Sequence, residues 1–273
     1  INIVLDYVFI FILKWGMFGA ALATSLGYIV GAVMILAYLF HPERILHVCR
    51  VKLSKKSLYL TIRNVGYMCR LGFSSFLCET AIATMMFVGN YVFIRYLGED
   101  GVAAYSIACY FFPIVFMVYN AIAQSAQPIL SYNYGAKCTA RVRETFRLAL
   151  TTAILCGAGV FLLTWIFSHQ IVGMFLDSSY PAYNIAVKGL PLFASGFVFF
   201  GINIVSIGYF QSLERDCPAM IITLLRGFAL ILLCFWILPI IWGSWGIWLA
   251  VPMSELLTFL FVLVIYWLEN RRN

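Results

Sequence analysis

Three acidic residues lie within long apolar stretches of the sequence: Asp6, Glu79 and Glu255. A carboxylate at the centre of a membrane-spanning helix costs roughly 2.5–3.5 kcal/mol on insertion scales, so each is a candidate for binding an ion or a charged ligand. Glu79 lies far from both ends of its stretch, which favours a binding role over an acid that only packs against neighbours. Glu255 follows Pro252 and Ser254, in a helix start that we expect to be hydrated, and is a weaker candidate.

Polar residues near Asp6 extend the first of these sites. Asn2 stands four residues before Asp6, which puts both side chains on one face of a helix. Thr24 follows just inside the next apolar stretch, where its hydroxyl can turn toward them. Together they offer oxygen ligands for a proton or Na⁺. The alternative is an aspartate at the membrane surface that binds nothing.

Two amides, Gln124 and Gln127, lie on adjacent turns directly before Pro128. Proline frees a backbone carbonyl and bends a helix, and transporters place binding sites at broken helices. We therefore interpret Gln124 and Gln127 as candidates for binding a substrate or a cation.

Enzymatic chemistry finds no support in the sequence. No apolar stretch pairs a histidine with a nucleophile, there is no phosphate-binding glycine loop, and the eight cysteines include no CxxC pair. We expect no catalytic residues, no metal and no cofactor. The three histidines lie in or beside predicted loops: His41, His47 and His169.

Composition indicates the elements that position these residues. The chain is 63% hydrophobic and 11% charged, whereas soluble domains carry about 25% charged residues. It is therefore predicted to be an all-α polytopic membrane protein. The net charge of +7 resides between apolar stretches, which argues against nucleic-acid binding. Each of the eight predicted stretches is close to a membrane-spanning length, the first shortened: 1–13, 17–40, 66–94, 102–131, 146–167, 183–210, 217–240 and 245–268.

The basic residues predict the orientation and the division of the chain. One charge-dense segment divides the chain into residues 1–40, a linker at 41–65 and residues 66–273. Positive residues concentrate in cytoplasmic loops, so the linker and the carboxyl terminus are predicted to be cytoplasmic. Residues on the predicted inner side are Arg44, Arg50, Lys52, Lys55, Lys56, Arg63, Lys137, Arg141, Arg143, Arg147, Arg215, Arg271 and Arg272; on the outer side they are Lys14, Arg95 and Lys188.

A short segment occurs twice, at Trp15–Ala23 and Trp242–Ala250, with five of nine positions identical. Each copy joins two apolar stretches and contains glycines, which is typical of a tight turn between packed helices. Duplicated membrane segments are typical of transporters built from two related halves. The first copy follows a single partial helix, so we expect about four helices to be missing before residue 1.

Several segments, in this order, resemble multidrug and toxic compound extrusion (MATE) transporters over essentially the whole chain. The most specific is Gln127–Lys137, which is similar to the family's signature after its eighth helix. The others resemble its fifth and sixth helices and its closing helices: Asn2–Ile10, Gly19–Thr24, Phe210–Ser212, Leu225–Arg226 and Gly246–Trp248. The resemblance implies a two-lobed bundle of twelve helices, of which this chain would hold helices five to twelve.

The resemblance also implies roles for residues already singled out. Asn2, Asp6 and Thr24 match the family's cation-coupling site in the amino-terminal lobe, and Glu79 matches its seventh-helix acid. Sodium-coupled members pair that acid with a tenth-helix aspartate. Phe200 stands there in this chain.

Asn203, one turn beyond Phe200, is the remaining candidate on that helix for binding a cation or a substrate. The exchange of aspartate for phenylalanine leaves the existence of a sodium site in the carboxyl-terminal lobe open.

The function that the resemblance implies is secondary active efflux of hydrophobic or cationic compounds. Proton or Na⁺ entry would drive this antiport across a plasma membrane, which we expect to be bacterial. The alternative in the same broad superfamily is a flippase for lipid-linked oligosaccharides. A flippase needs several basic residues to hold diphosphate, and only Arg70 and Arg226 lie in or at the edge of apolar stretches.

Overall fold

The computed structural model describes residues 1–41 and 54–272, and these residues form helices joined by short turns. The all-α class predicted from composition is confirmed. The chain divides into two compact units, Ile1–Arg63 and Asn64–Asn273. Most of the predicted linker, residues 42–53, lies outside the described residues. The part that is described is helical from Lys55 onward.

The first unit is a helical hairpin. Helix α1 (Asn2–Asp6) continues as a π-helix through Tyr7–Ile12, and α2 spans Gly16–Leu39. The turn between them requires positive φ angles at Lys14 and Gly16, 55° and 54°.

The second unit begins within α3 (Lys55–Gly135), an 81-residue helix with one break. Unbroken, it would measure roughly 120 Å, four times the thickness of a membrane's hydrocarbon core. Gly98, with φ 67° and ψ −158°, interrupts it. This backbone conformation is essentially restricted to glycine. The chain therefore reverses at Gly98, and α3 consists of a first arm (55–97) and a second arm (99–135).

Seven further helices complete the second unit within the described residues. Helices α6 and α7 meet at a 42° bend, and α8 passes through a π-helix at Leu225–Ala229 into α9. The bounds are α4 (Thr139–Ile166), α5 (Ser168–Gly173), α6 (Pro181–Ala194), α7 (Phe197–Ser212), α8 (Asp216–Leu224), α9 (Leu230–Trp242) and α10 (Ser244–Arg272).

The predicted membrane spans all fall on helices. Within residues 1–41 and 54–272, four helical stretches can cross a membrane by length and hydropathy, and the bent pair α6–α7 adds a fifth. Two of the four are 61 and 53 residues long. Each of these holds two predicted spans that join at a glycine of positive φ, Gly98 or Gly243. The four stretches are Gly16–Leu39, Ser75–Gly135, Thr139–Ile166 and Asp216–Leu268.

Aromatic side chains form the centre of the second unit. Phe200 stacks on Phe112 with ring centroids 4.7 Å apart, and both rings are buried. The hydroxyl of Tyr119 donates to the backbone oxygen of Phe197 at 2.8 Å, so this buried polar group is satisfied. These contacts hold the second arm of α3 against α7, and the candidate site lies beside this contact.

Candidate functional site

A cavity of about 410 Å³ opens between the two arms of α3 and helix α7, entirely within the second unit. Its size falls in the range of sites for small molecules. Both polar and apolar side chains line its wall: Ser75, Cys78, Glu79, Phe116, Asn120, Ala123, Gln124, Gln127, Ile204, Ile207, Gly208 and Gln211.

Among the described side chains that line the cavity, Glu79 is the only charged one. Its neighbours Leu77 and Cys78 are buried, whereas Glu79 itself is exposed. Helical periodicity explains the difference, because adjacent positions point about 100° apart. Among the described residues, Glu79 forms no hydrogen bond or ion pair. Its carboxylate is therefore available to a ligand.

Amide side chains form another part of the wall. Gln127 donates to the side-chain oxygen of Gln211 at 3.3 Å, and Gln211 donates to the hydroxyl of Ser75 at 3.3 Å. This chain of hydrogen bonds links three helical segments around the cavity. Gln124 is exposed and lies one turn from Gln127. The structure thus places Glu79, Gln124 and Gln127 in one cavity. Their positions in the sequence did not by themselves predict this.

The side chains of this cavity suit an organic cation. One carboxylate supplies charge, several amides supply donors and acceptors, and Phe116 adds an aromatic surface. A cation attracted to both a carboxylate and a ring face gains more than either provides alone, particularly where water is excluded.

Asn203, also a predicted site residue, does not line this cavity. Its side chain is fully buried, and its amide nitrogen donates to Oε2 of Glu255 at 2.8 Å and to the backbone oxygen of Glu255 at 3.0 Å. Asn203 therefore belongs to a separate polar cluster with Glu255.

The expectation of a hydrated helix start around Glu255 was wrong. Helix α10 begins at Ser244, so Glu255 lies in its fourth turn and is 3% exposed. Its Oε1 is 2.9 Å from Nε of Arg226, which is 4% exposed. A buried ion pair of this kind satisfies both charges without water.

Sequence analysis missed this ion pair and three polar members of the cavity, Ser75, Asn120 and Gln211. The one available signal was that Arg226 and Glu255 are charges of opposite sign in neighbouring apolar stretches. The side chain of Arg70 lies outside the described residues.

The predicted amino-terminal site lies in the first unit, and the structure brings two of its three residues together. The amide of Asn2 donates to the hydroxyl of Thr24 at 3.4 Å, a long contact. Thr24 in turn donates to the backbone oxygen of Ala20 at 3.0 Å. Asp6 is half-buried and forms no hydrogen bond within the described residues. A π-helix begins directly after it, at Tyr7, and such helices are frequent at functional sites.

Comparison with known proteins gives consistent results. The family model described as MatE matches residues 75–236. The multidrug export protein MepA of Staphylococcus saprophyticus is 21% identical over 272 residues, and that of Staphylococcus aureus strain NCTC 8325 is 22% identical over 276 residues. Each alignment covers 99% of this chain and 58% of the relative.

A solved structure shows the same fold. It is the outward-facing conformation of a multidrug resistance MATE family transporter of the MOP superfamily, with a TM-score of 0.83 and 22% identity. The match covers 96% of this chain and 59% of that one. The chain thus spans less than two thirds of the length of the relatives it matches.

Proposed function

This chain belongs to the MatE family, and we propose that the protein exports hydrophobic or cationic compounds across the membrane in exchange for protons or Na⁺. Members of this family are transporters and not enzymes, as the sequence predicted. The relatives are bacterial multidrug exporters. With the apolar helices, they indicate a multi-pass protein of the plasma membrane.

The observation that carries the proposal is the isolated carboxylate of Glu79 in a cavity of about 410 Å³. An exporter needs a site that binds its cargo and then releases it when an ion enters. Glu79 can serve both steps. Its negative charge attracts a cationic cargo, and a proton or Na⁺ that neutralises the same carboxylate removes that attraction. Competition for one carboxylate is a direct physical route to exchange.

Oligosaccharide-lipid flipping, the alternative, receives less support. A diphosphate needs accessible cations, but Arg226 is buried against Glu255. The cavity wall also contributes a carboxylate, which repels phosphate.

Replacing Glu79 by Gln tests the cavity. Gln keeps the shape and hydrogen bonding of Glu but removes its charge, so we expect Glu79→Gln, made in the full-length protein, to lose most resistance to cationic dyes. Dye efflux and growth at increasing dye concentration are measured at matched amounts of membrane protein. Glu99→Gln is the matched control, because Glu99 is an exposed residue of α3 outside the cavity. Efflux by Glu79→Gln equal to that of Glu99→Gln would remove the site assignment.

We further propose that Asn2, Asp6 and Thr24 form a second site for the coupling ion, in addition to Glu79. The support is the Asn2–Thr24 contact beside an unpaired carboxylate. Ion entry at Asp6 would be a separate event from the competition between cargo and ion at Glu79, and exchange would need both.

Asp6→Asn therefore should abolish ion-driven efflux while leaving dye binding to the purified full-length protein within about twofold of wild type. Vesicles with an imposed proton or Na⁺ gradient measure the first property, and fluorescence titration measures the second. A variant that still exchanges dye for the ion at the wild-type rate contradicts a coupling role for Asp6.

A further inference from the structure

The buried ion pair lies directly behind the wall of the cavity. Arg226 and Glu255 do not line the cavity themselves, but Cys78 does. Nη1 of Arg226 is 3.7 Å from Sγ of Cys78, which precedes Glu79 in the sequence. The side chain of Cys78 therefore lies between the guanidinium and the cavity.

A second contact joins Arg226 to the same wall. Its guanidinium carbon lies 4.5 Å from the ring centroid of Phe200. Phe200 stacks on Phe116 with centroids 6.1 Å apart, and Phe116 lines the cavity. Two side chains of the cavity wall are thus linked to the guanidinium, Cys78 by direct contact and Phe116 through the ring of Phe200.

Arg226 reaches this position because of the local backbone. It lies in the π-helix Leu225–Ala229, and the next residue, Gly227, packs so closely on Ala81 that an added Cβ would collide with that side chain. The widened turn and the close approach place a full positive charge against the first arm of α3, in a buried position where solvent screens it weakly.

A cation behind the wall works against a site that binds cations, unless its charge is neutralised. Glu255 neutralises it, through the 2.9 Å contact with Nε of Arg226. Asn203 fixes the other carboxylate oxygen at 2.8 Å. The net charge behind the wall is therefore zero, and Glu79 determines the charge of the cavity.

We propose that Glu255 and Arg226 determine the charge selectivity of the cavity. Glu255 masks the guanidinium, so that the cavity accepts cations. Loss of this mask alone converts the cavity from one that favours cations to one that favours neutral or anionic compounds. The inference rests on the proposed function, since it concerns the cargo of the same cavity.

The experiment compares Glu255→Gln, Arg226→Met and the double variant Arg226→Met/Glu255→Gln in the full-length protein. Each purified protein is titrated with two aromatic dyes of similar size, one a permanent cation and one neutral, well below its melting temperature. The quantity measured is the ratio of the two affinities, because a general loss of structure weakens both dyes alike.

We expect Glu255→Gln to shift this ratio against the cation by roughly 15- to 35-fold, the size for a unit charge roughly 8–10 Å away at an effective dielectric constant of about 20. The double variant, with neither charge, should return the ratio to within about threefold of wild type. Arg226→Met should shift the ratio toward the cation, opposite to Glu255→Gln.

Equal ratios in all four proteins would overturn the proposal and leave the pair a purely structural contact. If Glu255→Gln does not fold, Arg226→Met against the double variant gives the same test, because they differ only by the charge at Glu255. A wild-type protein that binds neither dye contradicts the proposed function itself. A wild-type protein that binds the cation, with no shift in any variant, contradicts the selectivity role alone.

Discussion

Individual charges separate into two groups in this molecule. Glu79 faces a cavity without a partner among the described residues, whereas Glu255 is buried with Arg226 and Asn203. Sequence reasoning ranked Glu79 above Glu255 as a binding residue, and a binding role for Glu79 stays a prediction. It could not pair Glu255 with Arg226. The two are 29 residues apart on different helices, and the π-helix at Leu225–Ala229 shifts the face on which Arg226 lies.

The Arg226–Glu255 ion pair should also contribute to the free energy of unfolding, and a double-mutant cycle measures this contribution. Removal of one partner leaves an uncompensated buried charge, which costs about 3–5 kcal/mol, whereas replacing both with apolar or neutral groups is often nearly neutral. We expect Arg226→Met to lower the free energy of unfolding by about that amount, and Arg226→Met/Glu255→Gln to recover most of it. Denaturant unfolding in detergent measures both. Additive losses in the double variant would mean that the two residues do not stabilise each other.

At the scale of elements, the repeated segment predicted two turns, and the structure places a break between helices at each. The equivalent glycines Gly16 and Gly243 have φ angles of 54° and 58°. Ala23 and Ala250, also equivalent, are both fully buried. Turn glycines could be recognised from sequence because few other residues adopt this backbone conformation. Gly98, which lies outside the repeat and forms a similar turn, could not be singled out in this way.

A substitution at Gly243 tests the cost of its backbone conformation alone, because an added side chain would not collide with neighbouring atoms. An added Cβ there meets nothing within 4 Å, but φ is 58° and ψ is −134°. We expect Gly243→Ala to destabilise the protein by about 1–3 kcal/mol, the cost of a residue with a side chain in this region.

Gly159 in α4 is the matched control, because an added Cβ also meets nothing within 4 Å while its backbone has no positive φ. Gly159→Ala should be neutral or stabilising by up to about 1 kcal/mol, since alanine favours helices. Thermal unfolding in detergent compares the two variants. A similar loss of stability in both variants would show that the backbone conformation at Gly243 is not the cause of the destabilisation.

At the scale of the whole molecule, two features were accessible from sequence for different reasons. Hydropathy predicted the helices because a membrane requires long apolar stretches. Family membership followed from a specific segment, Gln127–Lys137, whose residues 127 and 133 also make contacts in the structure. The cavity itself could not be predicted, because its wall depends on how three helical segments pack, and residues such as Ser75 and Gln211 meet only there.

Membrane orientation remains a prediction from charge, and it can be tested across the whole molecule. Inner loops should carry the excess of basic residues, which places Ser54 in the cytoplasm and Ser178, in the turn between α5 and α6, outside. Both are exposed. In a functional full-length protein without its native cysteines, we expect a membrane-impermeant thiol reagent added to intact cells to label Ser178→Cys and not Ser54→Cys. Both should react in opened membranes, which controls for access. Under an alternating topology the two positions lie on opposite sides of the membrane. The reverse labelling pattern would show that the orientation is inverted. External labelling of both positions would contradict the alternating order of the membrane-spanning helices.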